Sequence, residues 1–349
     1  MYVVILAGGE GKRLWPISNK NTPKPFVKLN DDFSLLQNTI LRASKLHSIN
    51  GIIIVSGEKY SQRVISECNK LRKVNKNICR IEILVEPESR DTSYAISYAS
   101  LYIQQNYAPD SEILVLPSDH VIDKELAFQF AVKKARLLPR EGKVTLFGIE
   151  PSRPETNYGY IQYNKHQVLK FIEKPDYLTA QQYIKSGEYL WNSGIIYCQA
   201  NILLSEIDAY SRNVFTNTMN SLANSSVSYH GDYKMINIQK IECDTDGQSI
   251  DYAVLQKSDN INVVACDIGW NDVGNWNSVS QAMPKDLNGN NIKGDALLHD
   301  VSNCYVESNN KQIAVVGVSN LAIIETDNGI LIINKQNASD IKKVFSVLK

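Results

Sequence analysis

Apolar and polar positions along the first 150 residues switch repeatedly between two periods. Residues 1–7 form a continuous apolar run, and Leu35, Leu36, Thr39, Ile40, Ala43 and Leu46 recur at the spacing of one helix face. An apolar run at 51–56, a helical pattern at 59–72, a run at 81–86, a helical pattern at 91–105 and a run at 112–117 follow. The runs are short and rich in Ile, Val and Leu, as strands are when helices cover both faces of their sheet. Repeated strand–helix–strand units predict right-handed crossovers and a mostly parallel, Rossmann-like α/β sheet flanked by helices.

Beyond residue 147 the texture changes. Strand-like pieces at 144–149, 158–163, 168–173 and 195–197 lie closer together, with helical patterns at 178–186, 200–223 and 249–257. They read as an insertion that completes the same domain and walls a pocket. A strand at 261–266 runs into a turn-rich stretch at 269–276. From about 285, short apolar pieces (296–298, 304–306, 314–318, 321–325, 330–333) alternate with Asn, Gly, Asp and Ser. That spacing predicts a small β-rich, β-helix-like domain, closed by a helix at 339–348. The expected domains are therefore 1–284 and 285–349. The apolar stretches 313–318 and 321–324 offer strand edges of the kind that are usually covered, so a homodimer is expected.

Composition narrows the function without naming it. With 349 residues, 43% hydrophobic and 21% charged, the chain can bury a core without disulfides or a structural metal. Its 37 basic and 37 acidic residues cancel, which argues against a broad nucleic-acid surface or an anionic-membrane anchor. No apolar run approaches a membrane span, and the N-terminus lacks the basic lead-in and cleavage site of a signal peptide. The six cysteines are scattered, which favours free thiols and a cytoplasmic setting. The dispersed histidines give a zinc site little support.

Six segments carry candidate chemistry. The first, Leu6-Ala7-Gly8-Gly9-Glu10-Gly11-Lys12-Arg13, follows the opening strand and leads to Pro23-Lys24-Pro25. Glycines there let backbone N–H groups approach phosphate oxygens, and Arg13 and Lys24 supply positive charge. The spacing is neither GxGxxG nor GxxxxGK[ST]. The second is Leu116-Pro117-Ser118-Asp119-His120, at the carboxyl end of a strand, where open α/β sheets bind ligands. Asp119 either holds a magnesium ion carrying phosphates or caps a following helix. In the third, Gly269-Trp270-Asn271-Asp272-Val273-Gly274, Asp272 is either a second metal carboxylate or a turn residue bonding its own backbone. The fourth, Phe171-Ile172-Glu173-Lys174-Pro175, puts Lys174 at a strand exit, as a phosphate point charge or a plain surface lysine. The fifth and sixth, Pro154–Tyr160 and Tyr189–Gly194, mix aromatics, amides, a carboxylate and glycine, a composition suited either to sugar hydroxyls or to a core.

Taken in order, these segments resemble the nucleotidyltransferases that make nucleotide-sugars, and among them bacterial mannose-1-phosphate guanylyltransferases. LAGGEGKRLWPIS, LPSDHVI, PETNYGYI, FIEKPD, YLWNSGI, SIDYAVLQK and WNDVGNW carry the likeness, which runs from residue 1 to about 334. The resemblance implies a nucleotide-diphospho-sugar transferase fold and transfer of GMP from GTP to mannose 1-phosphate, with release of pyrophosphate. It implies a nucleotide site at Leu6, Ala7, Gly8, Gly9, Gly11, Arg13, Lys24, Pro117 and Ser118, with Arg13, Lys24 and Lys174 acting in catalysis. Glu155, Gly159, Lys174 and Asn192 would hold the sugar phosphate, and Asp119 and Asp272 would bind Mg²⁺. Pro25 stands where the mannose enzymes carry glutamine, Arg90-Asp91-Thr92-Ser93-Tyr94 replaces their RNTAP, and Asn157 replaces a glycine. The alternatives are a guanylyltransferase for a heptose or fucose phosphate, another base, or a catalytically silent subunit that senses nucleotide-sugars. Many relatives carry a C-terminal isomerase domain with a metal-binding cupin; without a histidine cluster, no second activity is expected.

Overall fold

The computed structural model describes residues 1–8, 12–29, 31–138, 142–241 and 247–345. Its chain order begins β1 (Tyr2–Leu6), α1 (Leu35–Ser44), β2 (Gly51–Gly57), α2 (Glu58–Val74), β3 (Ile81–Glu86), α3 (Asp91–Asn106) and β4 (Glu112–Pro117). It continues through β5 (Val121–Ile122), α4 (Glu125–Leu137), β6 (Val144–Ile149), β7 (Gly159–Asn164), β8 (Gln167–Glu173), α5 (Tyr177–Ser186) and β9 (Tyr189–Gln199). Then come α6 (Ala200–Tyr210), α7 (Arg212–Ala223), β10 (Ser226–His230), β11 (Tyr233–Asn237), β12 (Ile261–Ala265), β13 (Trp270–Asn271) and α8 (Trp276–Ala282). The chain closes with β14 (Asn291–Lys293), β15 (Ala296–His299), β16 (Tyr305–Ser308), β17 (Ile313–Val316), β18 (Leu321–Thr326), β19 (Gly329–Asn334) and α9 (Ile341–Phe345).

Contacts divide these elements into two compact units. The first comprises 1–8, 37–118 and 122–270. Its sheet has eleven strands in the order β10-β11-β3-β2-β1-β4-β9-β6-β12-β8-β7. From β11 to β4 all neighbours are parallel, with Tyr2 level with both Gly51 and Ile113. Strand β9 enters antiparallel to β4 and β6 and also pairs with β7, so β9, β6, β12, β8 and β7 close a circuit. Both faces of the parallel block are covered, which is why β1 and β2 are almost wholly apolar; β3 adds the buried Glu82 and Glu86. Helix α3 is buried along nearly its whole surface, with α6 and α7 packed against it.

Several elements differ from the pattern read in the sequence: α4, β10 and β11 were not expected, and two expected elements have other bounds. The helical stretch 200–223 breaks at Ser211, whose φ of −149° leaves the helical region. The strand expected at 195–197 runs from Tyr189 to Gln199, because the polar Asn192 and Ser193 in its middle are themselves buried and bonded. Ser193 Oγ donates to the Phe147 carbonyl at 2.7 Å, replacing the apolar contact expected of a central strand.

The second unit comprises 9–36, 119–121 and 271–349. Strands β14, β16 and β18 run parallel, β19 turns back antiparallel, and β15 and β17 form a separate parallel pair, the stacked short strands of a β-helix. Val301, Cys304, Val306, Val315 and Ile323 fill the space within this stack. A second cluster joins Leu14, Val27 and Leu35 to Val273, Trp276, Tyr305 and Ile324. Trp276 is fully buried and its Nε1 donates to the Trp15 carbonyl at 2.9 Å. This tryptophan is therefore a core residue that fixes the loop after the opening strand.

Truncating a buried tryptophan of this kind costs about 3–5 kcal/mol. Trp276→Ala should lower the urea midpoint accordingly; an unchanged midpoint would contradict this packing.

Candidate functional site

The carboxyl ends of the parallel strands assemble the first group in unit one. Ala7 donates its N–H to the Val55 carbonyl at 2.8 Å, and Ser118 donates to the Leu6 carbonyl at 3.1 Å. Leu6 lies opposite Pro117 in the ladder. Leu6, Ala7, Gly8, Pro117 and Ser118 thus meet along one sheet edge, with Thr39 Oγ1 donating to the Ser118 carbonyl at 3.3 Å. Glu86, at the end of β3, joins them: its Oε2 lies 3.9 Å from where a side chain on Gly8 would begin. Glu86 is only 3% exposed, and its Oε1 is buried with no hydrogen-bond partner among the described residues. Burial alone pushes its carboxyl up to about 8. An orphaned acid beside a ligand-binding strand end is the strongest site signal in this unit, and the sequence offered no cue for it beyond its place at a strand terminus.

The second group in unit one gathers around Lys174. Lys174 adopts φ of +48° just before Pro175 and pairs with Glu173 at 2.9 Å. A side chain on Gly159 would lie 2.5 Å from Glu173 Oε2, 3.0 Å from Phe171 Cζ and 3.4 Å from Asn192 Cβ, so a larger residue there displaces the Glu173 carboxylate. Asn192 Nδ2 donates to Asp251 Oδ1 at 2.9 Å. Burial and then the charge of Glu173 raise the Asp251 carboxyl to about 7, against the pull of Lys174 and the Asn192 bond. Glu155 holds Asn157 through Oε1 at 3.1 and 2.8 Å, and its own N–H donates to Tyr160 Oη at 3.0 Å. Gly159, Lys174 and Asn192 therefore converge, with Glu155 tied to them through the neighbouring Tyr160. Glu173 and Asp251 complete the cluster; neither was singled out from sequence, because each reads as an ordinary surface acid.

Unit two holds the third group. Pro23 and Pro25 flank Lys24 in a tight turn, in which Phe26 N–H donates to the Pro23 carbonyl and Val27 N–H to the Lys24 carbonyl. The Lys24 side chain is 8% exposed, and its Nζ lies 2.8 Å from Asp119 Oδ2. The same ammonium donates to the Asp272 carbonyl at 2.5 Å, across 248 positions of sequence. Burial works to raise the Asp119 carboxyl, but Lys24 and then His120 outweigh it and hold the group below the usual carboxylate range. Asp119 leads into strand β5, so it caps no helix. Asp272 Oδ1 accepts the Gly274 N–H at 3.1 Å, the local turn bond expected of such a residue. Between them Val273 takes φ of +39°, a conformation that a β-branched residue avoids unless its surroundings impose it. Arg13 is half-buried in the short turn Lys12–Leu14. Gly9 and Gly11 lie outside the described residues.

The donor chemistry around Lys24 is hard. Among the described residues no cluster of three or more Asp, Glu, His or Cys is present. Two aspartates alone suit a cation such as magnesium, which takes its other ligands from phosphate oxygens and water; they do not suit zinc.

Strand-end glycines, a buried lysine with two aspartates, and a lysine–amide–acid cluster are the parts of a nucleotide-transfer enzyme. Residues 2–289 match the family described as "Nucleotidyl transferase", and residues 294–348 match the "MannoseP isomerase/GMP-like beta-helix domain". The chain is 37% identical to a mannose-1-phosphate guanylyltransferase of Klebsiella pneumoniae, over 99% of this chain and 73% of that protein. It is 36% identical to the alginate biosynthesis protein AlgA of Pseudomonas aeruginosa, over 100% of this chain and 72% of that one. A crystal structure from Thermus thermophilus, described as a "mannose-1-phosphate geranyltransferase", superposes with a TM-score of 0.81 at 27% identity, covering 99% and 98% of the two chains. The chain belongs to the nucleotidyl transferase family, in its mannose-1-phosphate guanylyltransferase branch.

The raised carboxyls of Glu86 and Asp251 bind protons in the folded state at pH values where the unfolded chain has lost them. Their contribution to stability is therefore full below the ordinary carboxylate range. It declines as pH rises from there and is lost above about 7 for Asp251 and about 8 for Glu86. Glu86→Gln should remove its share of this decline, so its Tm gains on the wild type from about pH 5 to about pH 8. A constant Tm difference over that range would show that Glu86 is not held protonated.

Proposed function

We propose that this protein transfers the GMP unit of GTP to α-D-mannose 1-phosphate, giving GDP-mannose and pyrophosphate. The observation that carries the reading is the Lys24 ammonium, held between the Asp119 carboxylate and the Asp272 carbonyl. A phosphate oxygen of the sugar phosphate attacks the α-phosphorus of GTP. A new P–O bond forms, the bond to the β-phosphate oxygen breaks, and pyrophosphate leaves with the electron pair. No covalent protein intermediate is needed, so catalysis rests on positioning and charge.

In this reading Leu6, Ala7, Gly8, Gly9, Gly11, Pro117 and Ser118 line the nucleotide. Arg13 faces the β- and γ-phosphates, and Lys24 steadies the charge that grows near the α-phosphate. Lys174 holds the phosphate of the sugar, with Glu155, Gly159 and Asn192 on its hydroxyls. Glu86, protonated in the free protein, stands beside Gly8 at the same strand ends, where giving up its proton would let both of its oxygens accept the N1–H and N2–H of guanine. Enzymes of this family work with a divalent cation. We assign Mg²⁺ to Asp119 and Asp272; when bound, it draws charge from the phosphate oxygens. A homodimer and a cytoplasmic setting, where GTP is supplied, belong to the same proposal.

With a panel of NTPs and sugar 1-phosphates, pyrophosphate release should be greatest for GTP with mannose 1-phosphate. Dominance of another pair, such as UTP with glucose 1-phosphate, would overturn the substrate assignment. Asp119→Asn and Asp272→Asn should each lower kcat by about 10²-fold or more, and full turnover in either would remove that residue from the site. Nucleotide binding without turnover for any pair would favour a sensing subunit.

A further inference from the structure

Unit one contains a cavity of about 380 Å³ that the proposed reaction does not use. Tyr163, Tyr183, Tyr189 and Leu190 form its walls, and Glu150 and Asp267 stand at its edge. The rings of Tyr183 and Tyr189 are stacked, with centroids 3.9 Å apart and planes 13° from parallel. Among the described residues no lysine or arginine lines the cavity, and the nearby Lys124 is engaged with Asp267 at the surface. Glu150 and the Lys124-paired Asp267, with no lining cation, disfavour a phosphate or a nucleotide. Flat aromatic faces beside carboxylate acceptors suit a ring that is apolar on its C–H face and rich in hydroxyl donors at its rim. The volume lies within the range of small-ligand sites.

The cavity also touches the Glu155 loop indirectly. Tyr183 packs on the fully buried Tyr160 ring at 5.4 Å, and Tyr160 Oη accepts the Glu155 N–H. Leu190 lies against the backbone of Gly148, which pairs with Asn192. A ligand on the tyrosine pair would therefore bear on two residues assigned to the sugar phosphate.

We infer that this cavity is a second carbohydrate site, which takes an uncharged pyranose on the Tyr183–Tyr189 stack with its hydroxyls donated to Glu150 and Asp267. Any effect on turnover rests on the function proposed above; binding does not. The test uses the full-length protein with methyl α-D-mannopyranoside as the probe, monitored by saturation-transfer NMR in the presence of saturating mannose 1-phosphate. Saturable binding is expected, weakened about tenfold or more by Tyr189→Ala and by Glu150→Gln, and unchanged by Lys174→Ala. Glu150 is exposed, so Glu150→Gln reports on the site even if Tyr189→Ala fails to fold. Loss of binding when mannose 1-phosphate is added, or in Lys174→Ala, would assign the signal to the substrate site and overturn the inference. So would absence of saturable binding, or preferential binding of spermidine at the same residues. Because none of these readouts requires turnover, failure of the proposed reaction would leave the result distinct.

Discussion

A lysine ammonium shut away from water must find negative partners, and in this chain that requirement gathers three distant segments. Lys24 is fixed in its turn by the prolines on either side, and its Nζ reaches the Asp119 carboxylate and the Asp272 carbonyl. Removing the Asp119 carboxylate would leave a buried charge uncompensated, which is costly in a low-dielectric setting. The packing of Leu14, Val27 and Leu35 on Val273 and Trp276 holds the segments in place. The β-strands that follow Trp276 are part of that support through Tyr305 and Ile324. The C-terminal strands thus share one apolar core with the lysine-bearing turn.

Unit one answers a different constraint. Its strand ends present backbone and glycine, and Glu86 is buried there without a full set of partners among the described residues. The Lys174 cluster is crowded instead, with the Glu173 carboxylate and the Phe171 ring tight against Gly159. Partner-poor acids and crowded glycines are costs to folding, and proteins retain such features where a ligand uses them. Burial raises the carboxyls of both acids, Glu86 beside Gly8 and Asp251 beside Asn192.

Much of this was legible in the sequence, for physical reasons. The strands β1 to β4 and helices α1 to α3 announce themselves because burial on both faces leaves uniform apolar runs between amphipathic stretches. Asp119, Asp272 and Lys174 stand out as charged residues just beyond apolar runs, and Lys24 as a lysine between two prolines. Strand β9 was mostly hidden, since its buried Asn192 and Ser193 break the apolar pattern while satisfying their bonds inside the sheet. Trp276 looked like part of a binding turn and is a core residue, because burial of an indole cannot be told from exposure by its neighbours alone. Glu86 and Asp251 were invisible, as a carboxyl's proton affinity depends on partners that only the fold assembles. The cavity over Tyr183 and Tyr189 likewise exists only once α5 packs beside β9.

The proposed site depends most on Asp119 and Asp272 serving one cation beside Lys24. Titration of Mn²⁺ as a paramagnetic stand-in, in the presence of a non-hydrolysable GTP analogue, tests this directly through water-proton relaxation. One saturable ion per chain is predicted in the wild type, with affinity lowered more than about tenfold when either aspartate is replaced by asparagine in a protein that remains folded. Undiminished affinity in both variants would contradict it.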